Sequence, residues 1–193
     1  MAKQMAKQKA GMLGIIMGLV VLAVCGMSIA GLAIDEWTAV KAESDLIDLE
    51  KFDLDSYSTS FGDYSDSVIG EDGENIEDIE ISFDTDDPAA MRTVMVVFGY
   101  VAVIAVCALA VLYLLKMVLN FGLMRFFVGI VGILTLAAGA VLTGVTVAYC
   151  NSVISIDIPL LGSAECVLGV GAYLTCIGTM AGGIAAVIGV ARK

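Results

Sequence analysis

TVMVVFGYVAVIAVCALAVLYLL, residues Thr93 to Leu115, runs for 23 positions without a charged side chain. About 20 helical residues at 1.5 Å each cross the hydrocarbon of a bilayer, so a run of this length is a membrane-spanning helix. Three more runs share the property: Met12–Ile34, Phe126–Tyr149 and Cys166–Ala191. The hydrophobic content of 59% and mean hydropathy of +0.94 over 193 residues exclude a soluble globule. The chain therefore divides into a basic tail (1–11), a first span (12–34), an acidic loop (35–90) and a second span (93–115). A turn (116–125), a third span (126–149), a short loop (150–165), a fourth span (166–191) and a two-residue end (192–193) complete it.

Charge orients these segments. Of the 21 Asp and Glu residues, 19 lie between Asp35 and Ala90, and Asp157 and Glu165 lie in the short loop. Seven of the ten Lys and Arg fall in the N-terminal tail, the 116–125 turn and the C-terminus. Cytoplasmic loops carry the excess of Lys and Arg, so both termini are expected in the cytoplasm and both acidic loops outside it. The expectation is an all-α membrane protein of the cell membrane: a left-handed bundle of four transmembrane helices with a small extracytoplasmic cap built from both loops. The start of the chain also has the outline of a signal peptide, with Gly31-Leu32-Ala33 as a small-residue cleavage site. The 23-residue run is longer than a signal core, which favours a retained helix.

Within the large loop, Val40–Leu54 mixes helical and alternating spacing, and Ser56–Gly73 reads as a flexible Ser-, Gly- and Asp-rich turn region. Ile79, Ile81 and Phe83 alternate with polar residues, as do Ile154, Ile156 and Ile158 in the short loop. Period-2 alternation marks half-buried strands, and pairing these two segments would give the cap a short β-sheet. Trp37 and Tyr149 stand at span ends, where indole and phenol rings anchor at the headgroup level.

Small residues point to helix contacts. Gly14-x-x-x-Gly18 and Gly178-x-x-x-Gly182 each put two glycines on one helix face, which lets backbones approach closely. The second span has one glycine, Gly99, and many branched residues, so it is expected to show the most surface to lipid or a partner. Cys150 and Cys166 bracket the short loop, and a disulfide there would close about 15 residues, nominally worth about 3 kcal/mol. Cys25, Cys107 and Cys176 sit inside spans, as packing residues do.

The chemistry these residues exclude is broad. No histidine occurs, which removes the commonest general base and metal ligand. No Asp, Glu, Lys or Arg interrupts a span, and both prolines lie outside them, so an ion-coupled transporter or intramembrane enzyme is disfavoured. A Ser or Cys nucleophile without a base is unpromising. No cofactor or metal site is expected. Weak calcium binding to the acidic loop is compatible with Asp53-Leu54-Asp55 and Glu71-Asp72-Gly73-Glu74, but EF-hand spacing is absent and a solvated, self-repelling segment is the simpler reading. An acidic exterior argues against nucleic acid as a partner.

The layout is similar to that of the claudin-like tetraspan proteins: four spans, cytoplasmic ends, a large first outer loop, a short second one and a sheet drawn from both. That family's first loop has a Trp, then Gly-Leu-Trp, then two cysteines. Here Trp37 stands alone and no cysteine lies between Cys25 and Cys107, so the likeness is one of topology and carries no functional residues across. The expected partners are the lipid bilayer and another membrane or surface protein, as a homo- or hetero-oligomer. The expected function is that of a non-enzymatic accessory subunit, scaffold or cell-surface interaction module. The alternative is an oligomeric cation-permeable channel or passive transport component, whose pore would need the threonines 135, 143, 146, 175 and 179 as a polar stripe.

Overall fold

The computed structural model describes residues 2–43, 56–70, 81, 83–84, 87–119, 122–153, 155–158 and 162–191. In chain order these form α1 (Ala2–Ala33), β1 (Thr38–Glu43), β2 (Ser56–Thr59), α2 (Phe61–Ile69), α3 (Pro88–Leu119), α4 (Gly122–Val153), β3 (Ser155–Ile158), β4 (Gly162–Leu168) and α5 (Val170–Ala191). Four helices are long and apolar enough to cross a membrane, over Ile15–Ala33, Pro88–Lys116, Leu123–Val153 and Val170–Ala191. This is the layout of a multi-pass membrane protein.

The long helices close into a ring in which α1 packs on α3 and α5, and α4 packs on α3 and α5. Large apolar side chains such as Leu19, Ile104, Ile133, Leu134 and Ile177 point outward. In water such a surface would drive association, whereas in hydrocarbon it needs no cover. Between helices the contacts rely on small residues. A Cβ at Gly178 would fall 2.5 Å from the Ser28 hydroxyl and 2.9 Å from the Val24 carbonyl oxygen, and one at Gly183 would fall 2.8 Å from the Gly132 carbonyl oxygen. Gly182 faces Val24 on the same α1–α5 seam. Gly18 is buried in α1, while the surroundings of Gly14 lie outside the described residues. The seam is also polar: Thr175 donates to the Ser28 carbonyl at 3.2 Å, and the Ser28 and Thr179 hydroxyls lie 3.5 Å apart.

At one end of the bundle the strands form a single antiparallel sheet in the order β2-β1-β4-β3. β1 and β2 come from the large loop, and β3 and β4 from the short one. The central β1–β4 pairing runs from Thr38 opposite Leu168 to Glu43 opposite Ser163. The sheet thus draws on both loops, but not through the segments that alternation selects. β3 contains Ile156 and Ile158, yet its partner is β4 in a local hairpin. Ile81 and Phe83 lie in no strand and are 52% and 62% exposed, and Ile79 and Ile154 fall outside the described residues. A hairpin closes over a few residues, so it forms at smaller loop-closure cost than a pairing between distant loops.

Three further readings change. The fourth span begins at Val170, because Cys166–Leu168 belong to β4. Apolar residues continue from strand to helix there, so hydropathy cannot mark the junction. Ser56–Gly70 is ordered as β2 and α2 rather than a flexible turn. Finally, 44% of the apolar stretch of α3 is buried, as in α5, against 33% in α1 and α4. α3 is not the most exposed helix, because α2 covers part of it.

Glycine position predicts stability. Gly178→Ala should lose about 1–3 kcal/mol through overpacking against Ser28 and Val24. Gly26→Ala, where a Cβ meets nothing within 4 Å, should be neutral or gain up to about 1 kcal/mol from helix propensity. Thermal unfolding in detergent, followed by circular dichroism, checks both.

Candidate functional site

The junction between bundle and sheet holds the densest set of specific contacts. α1 ends at Ala33, and after only four intervening residues the chain is already in β1. Two backbone bonds fasten this crossing to the start of α5: Gly171 N–H donates to the Glu36 carbonyl at 2.8 Å, and Gly169 N–H donates to the Trp37 carbonyl at 2.8 Å. Gly169 lies so close to the Glu36 carbonyl that no Cβ fits. On its other edge Trp37 N–H donates to the Thr59 carbonyl at 2.8 Å.

With its backbone held on both sides, Trp37 turns its ring inward and is fully buried. Its Nε1–H donates to the Met95 sulfur at 3.3 Å, and its ring packs on Phe61 at 4.7 Å between centroids. The headgroup anchor expected at this position is instead the centre of a protein core. A buried indole needs a partner for its N–H, and the soft thioether of Met95 supplies one without a charge. Tyr149 is likewise buried, edge-on to Tyr64 at 5.5 Å, rather than displayed at an interface.

α2 supplies the lid of this core. Ser60 and Asp63 form a capping box: the Asp63 N–H donates to the Ser60 hydroxyl at 3.0 Å, and the Ser60 N–H donates to the Asp63 carboxylate at 3.0 Å. The helix then places Phe61, Tyr64 and Ser65 on one face. Phe61 meets Gly99 of α3, where a larger residue would clash. The Tyr64 and Thr38 hydroxyls are 2.6 Å apart, and the Ser65 and Tyr100 hydroxyls 2.9 Å. Hydropathy does not reveal this helix, but Ser60-x-x-Asp63 followed by Phe61, Tyr64 and Val68 at helical spacing is a readable start signal. Downstream, Asp87 caps α3 by accepting from the Ala89 N–H at 2.9 Å, with Pro88 in the first helical turn.

Cys150 lies at the end of α4 and Cys166 in β4, near enough to shift each other's ionisation. Cys150 is 2% exposed and Cys166 partly so. The neighbouring Cys150 thiol draws the Cys166 thiol below its ordinary value, burial opposing the shift and the Thr38 hydroxyl assisting it. A second pair, Cys25 of α1 and Cys107 of α3, lies 3.8 Å apart inside the bundle. Among the described residues no three His, Cys, Asp or Glu side chains gather closely enough to hold a metal ion. The calcium candidates at residues 53–55 and 71–74 lie outside the described residues.

Among the described residues, the junction is held by aromatic packing, paired hydroxyls and backbone bonds. The chain matches no family model, no curated protein and no solved structure.

Trp37 is the only tryptophan, so its fluorescence reports this junction directly. Trp37→Ala should cost about 3–5 kcal/mol, and Trp37→Phe distinctly less, by denaturant titration. The bonds from the Ser60 hydroxyl and N–H hold the Asp63 carboxyl below its usual range. Their contribution is complete above about pH 4 and is lost as the pH falls through the depressed value. Emission should therefore stay blue-shifted down to about pH 4 and move red in stronger acid. Asp63→Asn should move toward the red form already at neutral pH.

Proposed function

We propose that this chain is a non-enzymatic integral protein of the cell membrane, with both termini cytoplasmic, that presents its acidic cap to a partner protein as an accessory subunit or interaction module. One observation carries the reading: the cap is a built unit, a four-stranded sheet and a capped helix locked to the span ends around Trp37. A loop that only linked two spans would need none of this. The loops that build it also hold every Asp and Glu of the chain. Their charge suits a basic partner surface, approached by long-range attraction and held at short range by the exposed rim.

Nothing specific favours the channel alternative. Thr135, Thr146, Thr175 and Thr179 are fully buried within one copy and donate to backbone carbonyls of Val131, Leu142, Ser28 and Thr175, and Thr143 donates to that of Gly139. A pore between copies would need such hydroxyls on an outer face.

Purification in mild detergent, with mass spectrometry and light scattering of the particle, tests the reading. A stoichiometric second protein that is retained at physiological salt and released near 1 M salt, where the screening length falls to about 3 Å, supports it. A homo-oligomer with nothing attached, passing cations in liposomes, would overturn it. A tag placed at residue 50 should be labelled on intact cells, and tags at either terminus only after permeabilisation.

A further inference from the structure

Two large apolar side chains stand on the outside of the molecule without belonging to a span. Ile81 and Phe83 are 52% and 62% exposed, in the stretch that leads from the acidic loop into α3. A single exposed apolar residue is ordinary; what sets these two apart is where they lie. The Phe83 ring packs edge-on against Phe98 of α3, with 6.1 Å between centroids. Phe98 is ten positions into that helix, about 15 Å along its axis from Pro88. Phe83 precedes Pro88 by only five positions, a reach of about 17 Å when fully extended. The chain therefore runs back along the side of α3, toward the bundle, before it turns into the helix.

That place has a depth in the membrane. Lys116, the next charged residue of α3 after Arg92, marks the opposite surface, and Phe98 lies 18 positions from it, about 27 Å of helix. The hydrocarbon is about 30 Å thick, so Phe98 falls just inside its boundary on the sheet side. One side of Phe98 packs on the core around Trp37. Farther along α3, Val101 and Ile104 are exposed and face lipid. Phe83 thus sits at the upper end of a surface that hydrocarbon already covers.

We propose that Ile81 and Phe83 are a membrane-insertion site outside the four spans, entering the sheet-side leaflet beside α3 among the upper parts of the lipid acyl chains. Apolar burial supplies the attraction, because charge opposes it. Residues 71–87 carry nine Asp and Glu and no Lys or Arg, a run that an anionic lipid surface repels. Asp84 and Asp87 are exposed on the same stretch and stay at headgroup level. The insertion gives the acidic loop an attachment to the bilayer of its own, independent of what the cap binds.

The test reconstitutes the full-length chain in phosphatidylcholine vesicles. Phe83→Trp in a Trp37→Phe background places the only tryptophan at the site. Its emission should be blue-shifted, and lipid brominated near the glycerol end of its chains should quench it more than lipid brominated near the methyl end. Red-shifted emission quenched by iodide and by neither lipid would place the ring in water. Blue-shifted emission quenched by neither lipid nor iodide would place it under protein, a second copy included. Either result overturns the proposal. The wild-type chain gives a readout that needs no variant: a hydrophobic diazirine dissolved in the bilayer and photolysed should label Phe83 as well as Val101 and Ile104, as mapped by peptide mass spectrometry. Label on α3 with none at residues 81–84 overturns the proposal whatever the variant does.

Discussion

The structure hangs on a crossing of two backbones. Where α1 leaves the bundle and α5 enters it, the carbonyls of Glu36 and Trp37 accept from the amides of Gly171 and Gly169. These bonds satisfy groups that would otherwise be stranded where helices give way to strands, and they do so only because glycine lets the chains touch. The crossing sets β1 beside β4, which makes one sheet from two loops. It also fixes the direction in which Trp37 must point. The core around that ring, from Phe61 and Tyr64 to Met95 and Tyr149, is a consequence of the crossing rather than a separate device.

Inside the bundle a different economy operates. Between helices in lipid there is no hydrophobic gain, so association depends on close packing and hydrogen bonds. The α1–α5 seam supplies both, through Gly178 and Gly182 on one side and Ser28, Thr175 and Thr179 along it. Each hydroxyl has a carbonyl within reach, so the polarity is consumed internally and the outer face is left apolar. At the sheet end the balance reverses: the core is aromatic and the rim is acidic, as water requires.

The four spans were legible in the sequence because membrane helices announce themselves by length and absence of charge. Elsewhere local pattern and tertiary demand diverged. Alternation at Ile79–Phe83 promised a strand, yet Ile81 and Phe83 stay outside the sheet, while β4 pairs on both sides. Its short alternation, Ser163-Ala164-Glu165-Cys166, runs straight into the apolar stretch of the fourth span, and hydropathy absorbs it there. Trp37 misled as well: its position at a span end suggests a headgroup anchor, and only the bonds to Gly169 and Thr59 turn it inward. α2 was the recoverable miss, since its capping box is written in Ser60 and Asp63.

One consequence concerns mechanics. α1 is continuous from Ala2 to Ala33, about 48 Å of unbroken rod at 1.5 Å per residue, and only residues 34–37 separate it from the central strand of the sheet. With so short a coupling, pinned at Glu36 and Trp37, the rod and the strand cannot turn independently. A twist or tilt applied to α1 at the end remote from the sheet is delivered to the centre of the sheet, and load on the sheet returns along the same shaft.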